Sequence, residues 1–291
     1  MISKDLAKKI RLIQIHSRRA VNDVLAGEYH SVFKGRGMEF DEVREYAPGD
    51  EIRSIDWNVT ARMGRPFIKR YVEERELTVL LIVDLSASGD FGSRAQRKNE
   101  VAAELCALLS FSAIRNNDKV GLIAFTDSVE KFIPPKKGST HVMRLVTDML
   151  QFKPQGRGTN LAAALEYAGR ITHRKSIIFI VSDFLDSGYE KPLKVLSRRH
   201  DVVAVTVNDP HEAELPDVGL IELTDAETGQ RRIFDSRSPA VRKRFKALAM
   251  ERGKSLEASF RQLSIDQIRV TAGEDYLLDL ISFFRRRERR L

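Results

Sequence analysis

A chain of 291 residues that is 42% hydrophobic and 31% charged can bury a full core, which points to a globular protein and not an intrinsically disordered chain. Its purely apolar runs reach about five residues, far short of the roughly 18 a spanning helix requires, and the basic, amphipathic stretch from Met1 to Ala20 lacks the apolar centre of a signal peptide, so a cytoplasmic protein is expected. The net charge of +8 resides at the ends: residues 1–20 carry +5 and residues 281–291 carry +4, leaving −1 between them, which excludes a broadly basic nucleic-acid-binding body.

In chain order, Leu6, Ile10, Ile13 and Val21 recur near helical spacing and predict an N-terminal helix over residues 1–27, with Gly27 available to stop it. Residues 28–77 then show short β-prone runs (His30–Phe33, Phe40–Tyr46, Ile52–Thr60, Phe67–Val72). These are separated by Gly35-Arg36-Gly37, Pro48-Gly49-Asp50 and Gly64-Arg65-Pro66, a pattern that predicts a small antiparallel subdomain of three or four strands. Pro48-Gly49 suits the centre of a tight turn in which Gly takes a positive φ. Trp57 is expected to pack this sheet onto the body, and Arg53, Arg62 and Glu73 to form partly buried ion pairs or a partner-binding set.

Residues 78–291 alternate strand and helix, which predicts an α/β fold: a doubly wound, mostly parallel sheet flanked by helices. Strands are expected at Thr78–Asp84, Lys119–Phe125, Ser176–Val181 and Asp201–Val207, with Glu130–Ile133 as an antiparallel partner. Helices are expected at about Gln96–Arg115, with one face formed by Val101, Leu105, Leu108, Leu109 and Ser112, and at Thr140–Leu150, Asn160–His173 and Tyr189–Arg199. The lone cysteine, Cys106, lies in the first of these and reads as a buried thiol; no disulfide framework or cysteine-based zinc site is possible within one chain. A hairpin around Asp225–Gln230, a basic helix opened by Ser238-Pro239, a strand near Gln267–Val270 and a closing helix Tyr276–Arg287 complete the reading.

The chemistry concentrates where strands run out. Asp84-Leu85-Ser86-Ala87-Ser88 follows the apolar run ending at Val83, Ser182-Asp183 follows Ile177–Val181, and Gly158-Thr159-Asn160 precedes a helix. In an open α/β sheet, ligands collect outside the carboxyl ends of strands. Two carboxylates and three hydroxyls, Asp84, Ser86, Ser88, Thr159 and Asp183, are hard oxygen donors that suit Mg²⁺ or Mn²⁺. Ser86 and Ser88 are expected to coordinate directly, Asp84 and Asp183 partly through water, with one position left for a partner's carboxylate.

Those five residues resemble the metal-ion-dependent adhesion site of von Willebrand factor A domains, and residues 78 to about 210 resemble the domain itself. Tyr46-Ala47-Pro48-Gly49-Asp50, Arg53, Ile55-Asp56-Trp57, Thr60-Ala61-Arg62, Glu73, Asp225–Gly229 and Phe283–Arg287 are similar to a bacterial family named "domain of unknown function 58". This resemblance implies a non-enzymatic adaptor that works with a MoxR-type AAA+ ATPase or its substrate. Many members of that family carry membrane spans, which this sequence lacks, leaving peripheral association as the alternative.

Other classes fit less well. A Mg²⁺-dependent phosphatase of the haloacid-dehalogenase type wants a second Asp two residues after its nucleophile, and here that position is Ser86. Gly253-Lys254-Ser255 lacks the earlier Gly of a P-loop, that position being Leu248. The six histidines, His16, His30, His141, His173, His200 and His211, show no metal-ligand spacing. Nucleic-acid or anionic-surface binding through the basic ends remains as a further reading, without the interleaved aromatics of a stacking platform.

Overall fold

The computed structural model describes residues 4–21, 25–33, 39–72, 76–90, 92, 97–224 and 229–290. They group into two compact units, Phe33–Glu76 and the remainder, Met1–Val32 with Leu77–Leu291. Gly35-Arg36-Gly37, Glu73 and Asp225–Thr228, all singled out from the sequence, lie outside the described residues.

The chain opens with two helices where one was expected: α1 (Lys4–Ala20) and α2 (Ala26–Val32). Gly27 sits inside α2 instead of ending a helix, and His30–Val32 are helical, not β. Tertiary packing explains the correction, since it overrides weak local β preference. Tyr29 is fully buried, meets the Phe284 ring edge-on at 6.1 Å, and donates its hydroxyl proton to Asp118 Oδ2 at 2.9 Å.

Among the described residues the smaller unit has two antiparallel strands, β1 (Glu39–Glu45) and β2 (Phe67–Val72), where three or four are expected. The segment expected as a strand over Ile52–Thr60 forms a 3-10 turn at Ile52–Ser54 and then α3 (Trp57–Met63). The reason is local. Asp56 accepts from the Asn58 and Val59 amides at 2.9 and 3.2 Å, capping the helix, and Gly64 at φ +68° closes it. Gly49 does take a positive φ of +110°, in a turn closed by the Asp50 amide on the Ala47 carbonyl at 3.0 Å. Trp57 is 67% exposed rather than enclosed, and Arg53 and Arg62 are exposed too. Among the described residues the charge pairs include Arg44 on Asp50, held through two bonds of 2.7 and 3.0 Å, Lys69 near Asp56 at 3.5 Å and Arg65 near Glu45 at 3.5 Å.

The larger unit continues with β3 (Thr78–Asp84), α4 (Lys98–Arg115), β4 (Lys119–Phe125), β5 (Val129–Lys136), α5 (Ser139–Leu150), α6 (Leu161–Ile171) and β6 (Ile177–Ser182). It then runs through α7 (Glu190–Arg199), β7 (Asp201–Asn208), α8 (Pro210–Ala213), the hairpin β8 (Leu220–Thr224) and β9 (Arg231–Asp235), α9 (Pro239–Gln262), β10 (Asp266–Thr271) and α10 (Tyr276–Glu288). The main sheet has six strands in the order β10-β7-β6-β3-β4-β5. Every neighbouring pair is parallel except β4 with β5. From β3 the chain builds outward through β4 and β5, then returns to lay β6 on the other side. The strand order therefore reverses beside β3, at the carboxyl ends where a ligand crevice forms.

Side-chain alternation divides the sheet into two faces. Leu80, Ile82, Ile178 and Ile180 pack with Leu161, Leu165, Leu193, Leu196 and Phe260 from α6, α7 and α9. On the opposite face α4 packs against β3, β4 and β7 and touches α1 and α5. Its five predicted face residues are buried, but so are Ala103, Cys106, Ala107 and Ser110, so α4 is enclosed on most sides rather than amphipathic. Burial pushes the Cys106 thiol well up, in keeping with an inert packing role. At the C-terminus, Arg287 is bonded to Asp201 at 2.6 Å and lies 3.3 Å from Asp266, while Arg285 reaches Glu28 at 2.8 Å; this part of the basic end is partnered within the fold.

One buried group makes stability sensitive to pH. His200 is 4% exposed and neither ring nitrogen has a hydrogen-bond partner. Burial, then the Arg199 charge, lowers its affinity for a proton. Below the ordinary pKa of about 6.5 the unfolded chain takes up a proton that the folded His200 resists, so stability present above that pH is lost as the pH falls. Urea unfolding at pH 7.5 and pH 5.5 is expected to show a smaller acid-side loss in His200→Leu than in the parent protein.

Candidate metal centre

The site begins with two parallel neighbours that end side by side. Val83 pairs with Val181 in register, which brings Asp84 next to Ser182. The Ser182 hydroxyl donates to Asp84 Oδ2 at 2.8 Å, and the Ser86 amide donates to Asp84 Oδ1 at 3.0 Å, so both carboxylate oxygens are engaged. Asp84 is only 8% exposed. Burial pushes its carboxyl up to about 6, the nearby Asp183 charge adds to this, and the bonds from Ser86 and Ser182 oppose it.

From Ser86 a polar chain runs across the crevice. Its hydroxyl lies 3.1 Å from that of Ser88, which donates to Asp183 Oδ2 at 2.9 Å. The other Asp183 oxygen accepts the Leu185 amide at 3.2 Å, and the Phe184 amide donates to Ser182 at 3.1 Å while Phe184 takes a φ of +56°. The backbone turns sharply after β6, and the Leu185 amide of that turn holds the carboxylate.

Thr159 comes from a loop pinned on three sides. Glu130 on β5 accepts the Gln155 amide at 2.9 Å, the Gly156 amide at 3.1 Å and the Thr126 hydroxyl. Burial opposes its ionisation, but those donors outweigh it and hold the carboxyl below its ordinary range. The Arg157 carbonyl accepts the Ala87 amide at 3.2 Å, joining this loop to the one carrying Ser86 and Ser88. Beyond Thr159, the Asn160 amide donates to the Thr126 carbonyl at 2.8 Å, and Asn160 caps α6 by accepting the Ala163 amide at 3.0 Å.

Asp84, Ser86, Ser88 and Asp183 thus fall into one hydrogen-bonded group, and the loop carrying Thr159 is tied to it at Ala87. The donor set is all oxygen, which fits a hard divalent cation and not zinc. Among the described residues no group of three or more His, Cys, Asp and Glu side chains is placed to hold a metal, so the serine hydroxyls would have to carry part of the coordination.

Two participants escaped the sequence reading. Lys98, in the first turn of α4, is 4% exposed at its side chain and donates to Asp183 Oδ2 at 2.9 Å and to Glu212 Oε1 at 2.7 Å. Glu212 uses its second oxygen to accept the Asp209 amide at 3.1 Å, closing the capping box of α8. Burial works against the Lys98 charge, yet Asp183 and Glu212 outweigh it and hold the ammonium protonated above its ordinary range. A lysine at the head of a helix with a long apolar centre is the available signal; Glu212, more than a hundred residues away, gives none.

Together these features define an α/β protein with an oxygen-lined crevice at the point where a mostly parallel sheet reverses its strand order. The family described as "Protein of unknown function DUF58" matches residues 42–255, and the chain belongs to it. Relatives include the uncharacterized proteins Rv1480 of Mycobacterium tuberculosis and Mb1516 of Mycobacterium bovis, each 32% identical over 288 residues, covering 98% of this chain and 90% of the relative. Among solved structures, the conserved hypothetical protein BatB from Bacteroides thetaiotaomicron aligns with a TM-score of 0.49 at 17% identity, covering 73% of this chain and 99% of that one. The SpRpn10 VWA domain aligns at 0.40 and 12% identity, covering 71% and 94%.

The anchoring of the Thr159 loop is open to direct measurement. Glu130→Ala removes the acceptor of two backbone amides and is expected to cost about 1 kcal/mol. Hydrogen exchange at Gln155 and Gly156 should accelerate several-fold, with exchange in β3 and β6 unchanged.

Proposed function

We propose that this chain is a non-enzymatic, metal-dependent protein-interaction module. Its centre is formed by Asp84, Ser86, Ser88, Thr159 and Asp183. The observation that carries the reading is the continuous chain Ser86–Ser88–Asp183, with spacings of 3.1 and 2.9 Å, at the carboxyl ends of two adjacent parallel strands. Its order in the sequence is that of the von Willebrand factor A adhesion site. A bound Mg²⁺ or Mn²⁺ would supply a hard positive centre able to accept an oxygen anion. The residues of this chain would hold it and orient it: hydroxyls from Ser86, Ser88 and Thr159, charge from Asp84 and Asp183.

A binding role is favoured over phosphoryl transfer by the state of Asp84. A nucleophilic carboxylate needs an accessible oxygen, and here both are occupied by Ser86 and Ser182 in a position 8% exposed. The partner implied by the family resemblance is a MoxR-type AAA+ ATPase or its substrate, meeting the centre through a carboxylate. The pairing of Arg285 and Arg287 with acidic residues of the same chain weakens the nucleic-acid reading. No described helix is long and apolar enough to cross a membrane.

The test is binding of the purified chain to the MoxR-type ATPase of its own organism, by surface plasmon resonance in Mg²⁺ and then in EDTA. Asp84→Ala and EDTA are each expected to weaken binding at least tenfold, with the circular dichroism spectrum preserved. Equal affinity in all arms overturns the reading.

A further inference from the structure

Lys98 stands out within the crevice as a full positive charge placed where the site would attract a cation. Its ammonium is buried, 4% exposed, and is bonded to two carboxylates from different elements, Asp183 after β6 and Glu212 in α8. A buried ion pair of this kind is costly to assemble and strongly destabilising to break from one side, so its retention calls for a role. The atom it occupies is informative: Asp183 Oδ2 accepts both from Lys98 and from the Ser88 hydroxyl, each at 2.9 Å.

We infer that Lys98 is the resident counter-cation of the centre and sets its affinity for divalent ions, neutralising Asp183 and Glu212 when no metal is bound and opposing metal entry by like charge. The inference rests on the metal-binding reading above. Among the described residues, the charges bonded into this network are Asp84, Asp183 and Glu212 against the Lys98 ammonium, so a divalent ion brings that group to neutrality. Without Lys98 the same ion would meet three carboxylates that this ammonium no longer offsets. Lys98 therefore makes the centre weaker for metal and keeps it folded while empty. Affinity then falls in a range where a partner's oxygen anion, by completing the coordination, decides whether the ion stays. A residue that merely positioned Asp183 would act in the opposite sense, and its loss would weaken binding.

The experiment uses the full chain and Mn²⁺ alone, with free Mn²⁺ followed by electron paramagnetic resonance and metal-induced stabilisation by thermal unfolding. Lys98→Met keeps the aliphatic stem and removes the charge; it is expected to tighten Mn²⁺ binding at least tenfold. Its melting temperature should be lower than the parent's without metal and should rise more on saturation with Mn²⁺. Glu212→Gln, which leaves the ammonium less compensated and does not touch the proposed ligands, should weaken Mn²⁺ binding several-fold, and it keeps the inference testable if Lys98→Met does not fold. Mn²⁺ binding by the parent with equal or weaker affinity in Lys98→Met overturns the inference and leaves the metal reading standing, as does an unchanged affinity in Glu212→Gln. If parent, Lys98→Met and Glu212→Gln all fail to bind Mn²⁺, the metal reading falls and the inference with it. Binding by Lys98→Met but not by the parent supports the inference in its strongest form.

Discussion

The hydrogen bond from the Ser182 hydroxyl to Asp84 joins the ends of two parallel strands, and the crevice is arranged around it. A carboxylate this buried is expensive unless its oxygens are satisfied, and the Ser86 amide supplies the second bond. The parallel sheet makes the meeting unavoidable. Because β3, β4, β6 and β7 run the same way, whatever follows each strand emerges along one edge, and segments near residues 84, 126, 183 and 209 become neighbours across large separations in the chain. Glu130 extends the arrangement by fixing the loop between α5 and α6 from the antiparallel edge strand.

Charge balance is the second constraint. Asp183 and Glu212 converge on Lys98, and the Asp183 charge adds to burial in pushing the Asp84 carboxyl up to about 6. Lys98 offsets the Asp183 and Glu212 charges from the first turn of α4, a helix enclosed on most sides. Glu212 links the same charge to α8 through its capping box. One ammonium group thus bonds both to the crevice and to the segment after β7.

The smaller unit shows how far family-like residues can be explained without a ligand. Asp50, following Pro48-Gly49, holds Arg44 through two bonds and accepts the Ala47 amide; Asp56 caps α3; Thr60 accepts the Phe67 amide at 3.0 Å. These are local structural duties. They leave Ile52, Trp57 and Met63 exposed, 62–67% each, on a segment whose backbone is well tied down.

Periodicity alone located the parallel strands, their helices and the antiparallel strand β5, because a strand buried on both faces must be continuously apolar and a crossover helix must separate parallel neighbours. The Asp-x-Ser-x-Ser, Thr and Asp pieces were equally legible, since each stands where an apolar run stops or a helix starts. Local pattern fails at Ala26–Val32 and Trp57–Met63, short segments in which burial of Tyr29 and a single capping Asp outweigh weak propensity. Lys98 and Glu212 were invisible for a different reason. Local pattern registers what a residue does with neighbours three or four positions away, whereas an ion pair spanning 114 residues exists only after the sheet has brought the two elements together. Composition and spacing thus specified the scaffold and the oxygen-bearing side chains at its strand ends; the placement of a compensating charge among them was decided by tertiary packing, because Coulomb energy depends on distance in space and not along the chain.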